Sequence, residues 1–213
     1  MNKKKTIAYI DGFNLYYGIK GQGWDHLLWL NLAKFSESLL AEMQELTAVK
    51  YFTTRVRNKP DKQKRQNTYL EALDTIKKIE IFYGNFTVDE WGCIDCGKIQ
   101  EIEHEKQTDV NIAVNLLSDA HSDKFDDAIL VTADSDQVPT IQALKGSYPW
   151  KRILVVFPPG RHSDELEEVA DSTYHLNSQE KFAKSQLAEE ITKKDGFVLR
   201  RPDRWTKTPG GVK

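Results

Sequence analysis

The hydrophobic and polar positions of this chain form short apolar runs separated by longer segments with helical spacing. The apolar runs predict five strands, at residues 6–10, 49–54, 79–86, 128–133 and 153–157. The other segments predict helices at residues 13–17, 30–43, 61–77, 108–120 and 136–145, and one more after residue 163. Strands that alternate with helices form parallel sheets covered on both faces, so the pattern predicts an α/β fold.

Polar residues stand where three of these helices are expected to begin. Asn31 and Thr108 lie at the start of two predicted helices, and Ser163 directly precedes the last one. Short polar side chains accept hydrogen bonds from the free amides of a first helical turn. We therefore expect these three residues to be N-caps.

Two segments depart from the alternation of strands and helices. Residues 87–107 have alternating residues around two cysteines, which predicts a small hairpin insertion with the cysteines at its tip. Residues 178–213 are more polar and predict a charged helix to about residue 194 followed by a tail. We therefore expect one domain over residues 1–177, which includes the hairpin, and a C-terminal helical extension.

Composition narrows the class of protein. The chain has 213 residues, 39% hydrophobic and 29% charged, and a net charge of −2, which suits one α/β domain with an extension. This charge does not by itself indicate nucleic-acid binding, so a polyanion would need a local basic patch. No apolar run approaches the roughly 20 residues of a membrane span. We expect a cytoplasmic protein that does not contact membranes.

Acidic residues follow two of the predicted strands. Asp11 ends the first strand, and Asp134 and Asp136 follow the fourth, while Asp109 lies in the first turn of the preceding helix. Ligands bind outside the carboxyl ends of parallel strands, so these groups are expected to converge if the two strands are neighbours. Clustered carboxylates suit a divalent cation such as Mg²⁺. The alternative is that Asp109 and Asp136 only stabilise helix N-termini.

Asn14 lies three residues after Asp11. Its amide could hold the Asp11 carboxylate or donate to a phosphate oxygen. The alternative is an ordinary asparagine that stabilises a turn.

Three separated segments resemble the NYN domain of the PIN-like superfamily, and most closely its LabA/DUF88 branch. They are DGFNL at residues 11–15, EKQTDVNIA at residues 105–113 and VTADSD at residues 131–136. The resemblance implies a PIN-like three-layer α/β/α fold with a mainly parallel five-stranded sheet. It also implies RNA cleavage that depends on Mg²⁺ or Mn²⁺. The family's acidic positions correspond to Asp11, Asp109 and Asp134, with Asp136 as an additional member, and Asn14 matches the family's asparagine. A non-catalytic RNA-binding or regulatory module is the alternative.

A basic run after the second strand is a candidate RNA-binding surface. It emerges at the same sheet edge as the acidic residues, where cationic side chains could hold an RNA backbone. Its candidate residues are Arg55, Arg57, Lys62 and Arg65. A solvated loop is the alternative. Aromatic residues nearby could stack on bases or belong to the core; they are Tyr16, Tyr17, Trp24 and Trp29.

Cys93 and Cys96 form one Cys-x-x-Cys pair, which is half of a tetrahedral zinc site. His104 is a candidate third ligand, and a second chain in a homodimer could complete a four-cysteine Zn²⁺ site. The alternatives are a redox-sensitive pair or two reduced thiols in a turn.

Overall fold

The structure, a computed structural model, describes residues 3–92 and 99–206. Its strands are β1 (Lys4–Asp11), β2 (Gln44–Thr53), β3 (Ile79–Tyr83), β4 (Asn85–Gly92), β5 (Ile99–Lys106), β6 (Asp127–Val131), β7 (Arg152–Phe157), β8 (Ser172–His175), β9 (Glu190–Thr192) and β10 (Val198–Arg200). Its helices are α1 (Gly12–Gly21), α2 (Leu32–Glu37), α3 (Pro60–Asp74), α4 (Thr108–His121), α5 (Val138–Ser147), α6 (Asp164–Val169) and α7 (Glu180–Lys184). Short 3₁₀ turns occupy Asp25–Leu27, Ser135–Gln137 and Asp203–Trp205.

The central sheet confirms the predicted α/β class. Six strands pair in the order β3-β2-β1-β6-β7-β8, and every pair is parallel. Five of them correspond to the predicted strands. The sixth, β8, is an edge strand with the polar sequence STYH, so its formation depends on pairing with β7 and not on an apolar pattern.

Helices cover both faces of this sheet. Along β1, Ala8 and Ile10 face a core that includes residues of α1, α2 and α3, whereas Ile7 and Tyr9 face a second core formed with α4, α5 and α6. This separation follows from the two-residue period of a strand, which sends successive side chains to opposite faces. The protein is therefore a three-layer α/β/α structure.

The sheet has a topological switch point between β1 and β6. The chain leaves β1 into α1 on one face, and it leaves β6 towards α5 on the other face. The two connections diverge, so the carboxyl ends of β1 and β6 border an open crevice. In open α/β sheets this is the place where ligands bind.

Helix starts and lengths differ from the predictions in several places. Asn31 and Ser163 are N-caps as expected, with side chains that accept amide hydrogen bonds from the first helical turn. Thr108 is not an N-cap; Gln107 holds that position, at a φ of 80°. The predicted helix over residues 30–43 ends at Glu37, because the following segment turns and pairs with β1 as strand β2.

The predicted hairpin insertion is present. Strands β4 and β5 pair antiparallel from Asn85↔Lys106 to Gly92↔Ile99, so the insertion begins two residues earlier than expected. Cys93 and Cys96 lie outside the described residues, and the zinc site stays a prediction.

The C-terminal segment is less helical than predicted. Only α7 is helical between residues 178 and 194, and β9 and β10 then form a short antiparallel hairpin. The segment packs on the domain: Trp205 lies against Trp29 and Tyr69, with ring centroids 6.4 and 5.9 Å apart. Within the described residues, no helix is long and apolar enough to cross a membrane.

Candidate functional site

Asp11 is the most buried acidic group at the switch point. It is 4% exposed and is both the last residue of β1 and the N-cap of α1. Its Oδ1 accepts the backbone amide of Asn14 at 3.0 Å, and its Oδ2 accepts the Asn14 side-chain amide at 2.9 Å. Asn14 therefore holds the Asp11 carboxylate, which was one of the alternatives that the sequence left open.

Thr132 connects Asp11 to Asp134. Its hydroxyl donates to Asp11 Oδ2 at 3.0 Å and accepts the backbone amide of Asp134 at 3.1 Å. Asp134 is half-buried and accepts the backbone amide of Asp136 at 3.0 Å as the N-cap of the 3₁₀ turn. These hydrogen bonds link the end of β1 to the segment after β6.

Three carboxylates converge at this crevice. Asp11, Asp109 and Asp134 each present an oxygen, and these oxygens lie within 4.8 Å of one another. Asp109 reaches the group from the first turn of α4, and its backbone carbonyl accepts the side-chain amide of Gln137 at 3.2 Å. Among the described residues Asp136 lies outside this group; it is exposed, and its backbone amide donates to Asp134 Oδ1.

The electrostatics of the group suit a hard cation. Burial raises the pKa of the Asp11 carboxyl above its ordinary value of 3.8, hydrogen bonds from Asn14 and Thr132 lower it in part, and the charge of Asp134 adds to the rise. All three donors are carboxylate oxygens, the ligands that Mg²⁺ and Mn²⁺ prefer. The carbonyl oxygen of the Gln137 side chain is also buried and has no hydrogen-bond partner among the described residues. The donor set therefore fits a divalent metal ion.

Arg161 is a cation at this crevice that the sequence pattern did not single out. It follows β7, and its guanidinium donates to Asn14 Oδ1 at 3.3 Å. The same oxygen accepts the backbone amide of Ala133 at 3.3 Å. The only sequence signal was that Arg161 follows a strand whose carboxyl end lies at the same edge as Asp11.

The four predicted RNA-binding cations do not form one group. Arg55 lies over the Tyr83 ring at 4.6 Å and donates to Asn67 and to the Tyr83 hydroxyl, each at 3.2 Å. Arg57 is exposed. Lys62 and Arg65, both on α3, line a cavity of about 760 Å³.

This cavity opens beside the acidic group. Its walls come from α1, the end of β2, α3 and the C-terminal segment, and Gly12, which directly follows Asp11, is one of its lining residues. The four aromatic residues named from the sequence lie in two different environments. Tyr16 and Tyr17 line the cavity, whereas Trp29 is fully buried in the core and Trp24 packs against that core.

The fold and the site define a parallel α/β protein with a carboxylate group at its switch point. The sequence profile of the NYN domain matches residues 5–177. This match covers most of the chain, so the chain belongs to the NYN domain family, a branch of the PIN-like superfamily.

The proteins that are similar to this chain include the following two. One is named 6-hydroxy-3-succinoylpyridine 3-monooxygenase HspA, from Pseudomonas putida; it is 27% identical, over 96% of this chain and 76% of that protein. The other is a crystal structure of a protein of unknown function from Vibrio parahaemolyticus. It has a TM-score of 0.56 and 19% identity, and the match covers 83% of this chain and 95% of that one. The second likeness concerns the fold alone.

Proposed function

We propose that this protein is a divalent-metal-dependent ribonuclease that hydrolyses RNA phosphodiester bonds at Asp11, Asp109 and Asp134. One observation carries the proposal: three carboxylate oxygens within 4.8 Å of one another at the switch point of a parallel sheet. Carboxylates this close repel each other, so a bound cation stabilises their ionised state. Membership of a PIN-like family supports the same chemistry.

The chain's own residues have separate roles in this proposal. Asp11, Asp109 and Asp134 would hold Mg²⁺ or Mn²⁺, which supplies an activated water and stabilises the charge on the phosphate. Asn14 and Thr132 orient Asp11 through the hydrogen bonds at 2.9–3.0 Å. Arg161, whose guanidinium donates to Asn14 Oδ1, would contact a phosphate oxygen at the edge of the group.

The test is cleavage of a panel of single-stranded and structured RNAs with Mg²⁺ or Mn²⁺. We expect Asp11→Asn and Asp134→Asn to lower the cleavage rate at least about 100-fold, since each removes a metal ligand. Asp74→Asn is the matched control, because Asp74 is exposed at the far end of α3. Full activity in both site variants would remove the proposed site.

The same assay separates the catalytic proposal from an RNA-binding module. Binding of RNA that weakens steeply with salt, without cleavage under any metal condition, would favour the module. In that case Arg55→Gln and Arg57→Gln should weaken binding more than substitutions on the opposite sheet edge.

A second candidate function is oxidation of a small aromatic compound. The cavity of about 760 Å³ favours it, because this is the size of a small-molecule site. The Pseudomonas relative is named for such a reaction on 6-hydroxy-3-succinoylpyridine. Incubation with that compound, oxygen and a reduced nicotinamide or flavin tests the idea. If the compound stays unchanged after incubation with a molar excess of the protein, this second function is rejected.

A further inference from the structure

The cavity beside the acidic group combines aromatic walls with a cationic rim. Its aromatic side chains come from four elements: Phe13, Tyr16 and Tyr17 from α1, Tyr51 from β2, Tyr69 from α3 and Trp205 from the C-terminal 3₁₀ turn. Trp205 lies beyond residue 177, where the NYN match ends. The C-terminal segment therefore completes a wall that the matched domain alone does not have.

The aromatic walls are held in place before any ligand binds. The Tyr69 ring meets Trp205 and Tyr51 edge-on, with centroid distances of 5.9 and 6.4 Å. The Tyr69 hydroxyl donates to the Leu30 carbonyl at 2.8 Å, so its polar end is bonded to backbone. Tyr69 and Trp205 are only 9% and 6% exposed, so together they present preset aromatic edges to the cavity.

The described residues at the rim of the cavity carry positive charge. The described residues that line the cavity include four cations and no aspartate or glutamate; the cations are Lys20, Lys59, Lys62 and Arg65. Among the described residues none of the four has a carboxylate within ion-pair distance, in contrast to Lys78 and Lys193. Repulsion from Lys20 and Lys59 lowers the pKa of Lys62 below its ordinary value of 10.5. An anion would relieve this repulsion.

We propose that the cavity binds a planar aromatic ring that carries a phosphate or carboxylate group. The ring lies against Tyr16 and Tyr17, above a floor formed by the edges of Tyr69 and Trp205, and the anionic group is held by Lys62 and Arg65. The aromatic lining favours a planar ring, and the cationic rim favours an anionic group attached to it. A volume of about 760 Å³ suits a ligand of nucleotide size.

This ligand class has two chemical sources, a nucleotide unit and a free heteroaromatic acid. Calorimetric titration with adenosine 5′-monophosphate and with nicotinate distinguishes the two sources. Tighter binding of adenosine 5′-monophosphate indicates a nucleotide unit, and tighter binding of nicotinate indicates a heteroaromatic acid. Adenosine lacks the anion and ribose 5-phosphate lacks the aromatic ring, so we expect both to bind at least about tenfold more weakly. The titrations contain a chelator, so a failed ribonuclease proposal would not affect them.

Two variants and one control locate the binding site. We expect the double variant Lys62→Gln/Arg65→Gln and the variant Tyr16→Leu each to weaken binding at least about tenfold. Lys64→Gln/Lys77→Gln removes the same charge from exposed positions outside the cavity and should bind like the wild type. Equal affinities for all four compounds, or no detectable binding of either adenosine 5′-monophosphate or nicotinate at ~1 mM, would overturn the proposal. Unchanged affinity in the double variant or in Tyr16→Leu would do the same.

Discussion

The Thr132 hydroxyl donates to the Asp11 carboxylate at 3.0 Å, although the two residues are 121 positions apart in the chain. The same hydroxyl accepts the Asp134 amide, so one small side chain sets the spacing between two members of the acidic group. Thr132 and Asp11 are both buried, and Thr132 is fully shielded from solvent. This contact exists only because β1 and β6 are neighbours in the sheet.

Replacing Thr132 with valine keeps the shape of the side chain and removes both hydrogen bonds. We expect a loss of about 1–3 kcal/mol in the free energy of unfolding, because a buried charged acceptor loses a donor. Affinity for Mn²⁺ should fall about tenfold, as is usual when a residue that orients a ligand is removed. Chemical denaturation and metal titration measure the two effects. Thr132→Ser keeps the hydroxyl and should retain most of the stability and most of the affinity for Mn²⁺. Equal losses in the two variants would contradict a role of the hydroxyl in orienting Asp11.

Metal binding should stabilise the protein in a pH-dependent way. Because the pKa of Asp11 is raised, the folded state holds this proton more tightly than the unfolded state, and stability without metal falls as the pH rises through the folded pKa. A cation binds only the ionised carboxylate, so its stabilising effect should grow over the same range. At a metal concentration about 100 times Kd, the gain is roughly 2.7 kcal/mol.

Thermal unfolding with and without Mn²⁺ across acidic and neutral pH measures this linkage. The metal-induced rise in Tm should be present in Asp74→Asn and absent in Asp11→Asn/Asp134→Asn. A rise of the same size in the double variant would place the metal elsewhere.

We expect the buried ion pair between Lys50 of β2 and Asp119 of α4 to dominate the stability of the core between the sheet and α4. Lys50 Nζ lies 2.6 Å from Asp119, and Tyr9 donates to the same carboxylate at 2.8 Å. Replacing Lys50 with methionine leaves Asp119 buried with one cation fewer, and we expect a loss of about 3–5 kcal/mol. Lys78→Met breaks an exposed pair with Glu37 and should cost about 0–1 kcal/mol. Equal costs in urea denaturation would show that the buried pair has no special role.

Acid should weaken the same ion pair. Burial by itself raises the pKa of Asp119, but hydrogen bonds from Lys50, Lys124 and Tyr9 outweigh it and hold this pKa below 3.8. A lowered pKa contributes stability that is present above the unfolded value and lost as the pH falls through the folded one. Wild type should therefore lose more stability on acidification than Asp119→Asn does. Parallel pH profiles for the two proteins would exclude this contribution.

The C-terminal segment should be required for a stable domain. Trp205 is 6% exposed against Trp29 and Tyr69, so Trp205→Ala should cost about 3–5 kcal/mol. Phe197→Ala is the aromatic control, since Phe197 is 59% exposed and should cost less than about 0.5 kcal/mol. Denaturation midpoints measure both. A small effect of Trp205→Ala would mean that the extension packs only loosely on the domain.

Local patterns were enough to predict much of this fold. The apolar runs of β1 and β6 are visible because both faces of a parallel strand are buried, which leaves a continuous hydrophobic stretch. The N-caps Asn31 and Ser163 could be predicted because capping depends on atoms within three residues. The edge strand β8 and the β9–β10 hairpin could not, because their polar segments form strands only through pairing with other segments.

The acidic site also has one part that the sequence predicts and another that depends on the tertiary structure. The sequence by itself determined that Asp11, Asp109 and Asp134 stand at strand and helix ends, and that Asn14 lies within reach of Asp11. Only the tertiary structure decided that the three carboxylates meet and that Asp136 stays outside their group. It also decided that Thr132 donates to Asp11 and that Arg161 donates to Asn14. The physical reason is the distance along the chain over which each interaction acts. Helix caps and strand ends depend on neighbours in the chain, whereas the contacts within the acidic site depend on which strands lie side by side. The cavity is the extreme case, since four separate elements must pack together before Trp205 and Lys62 face the same space.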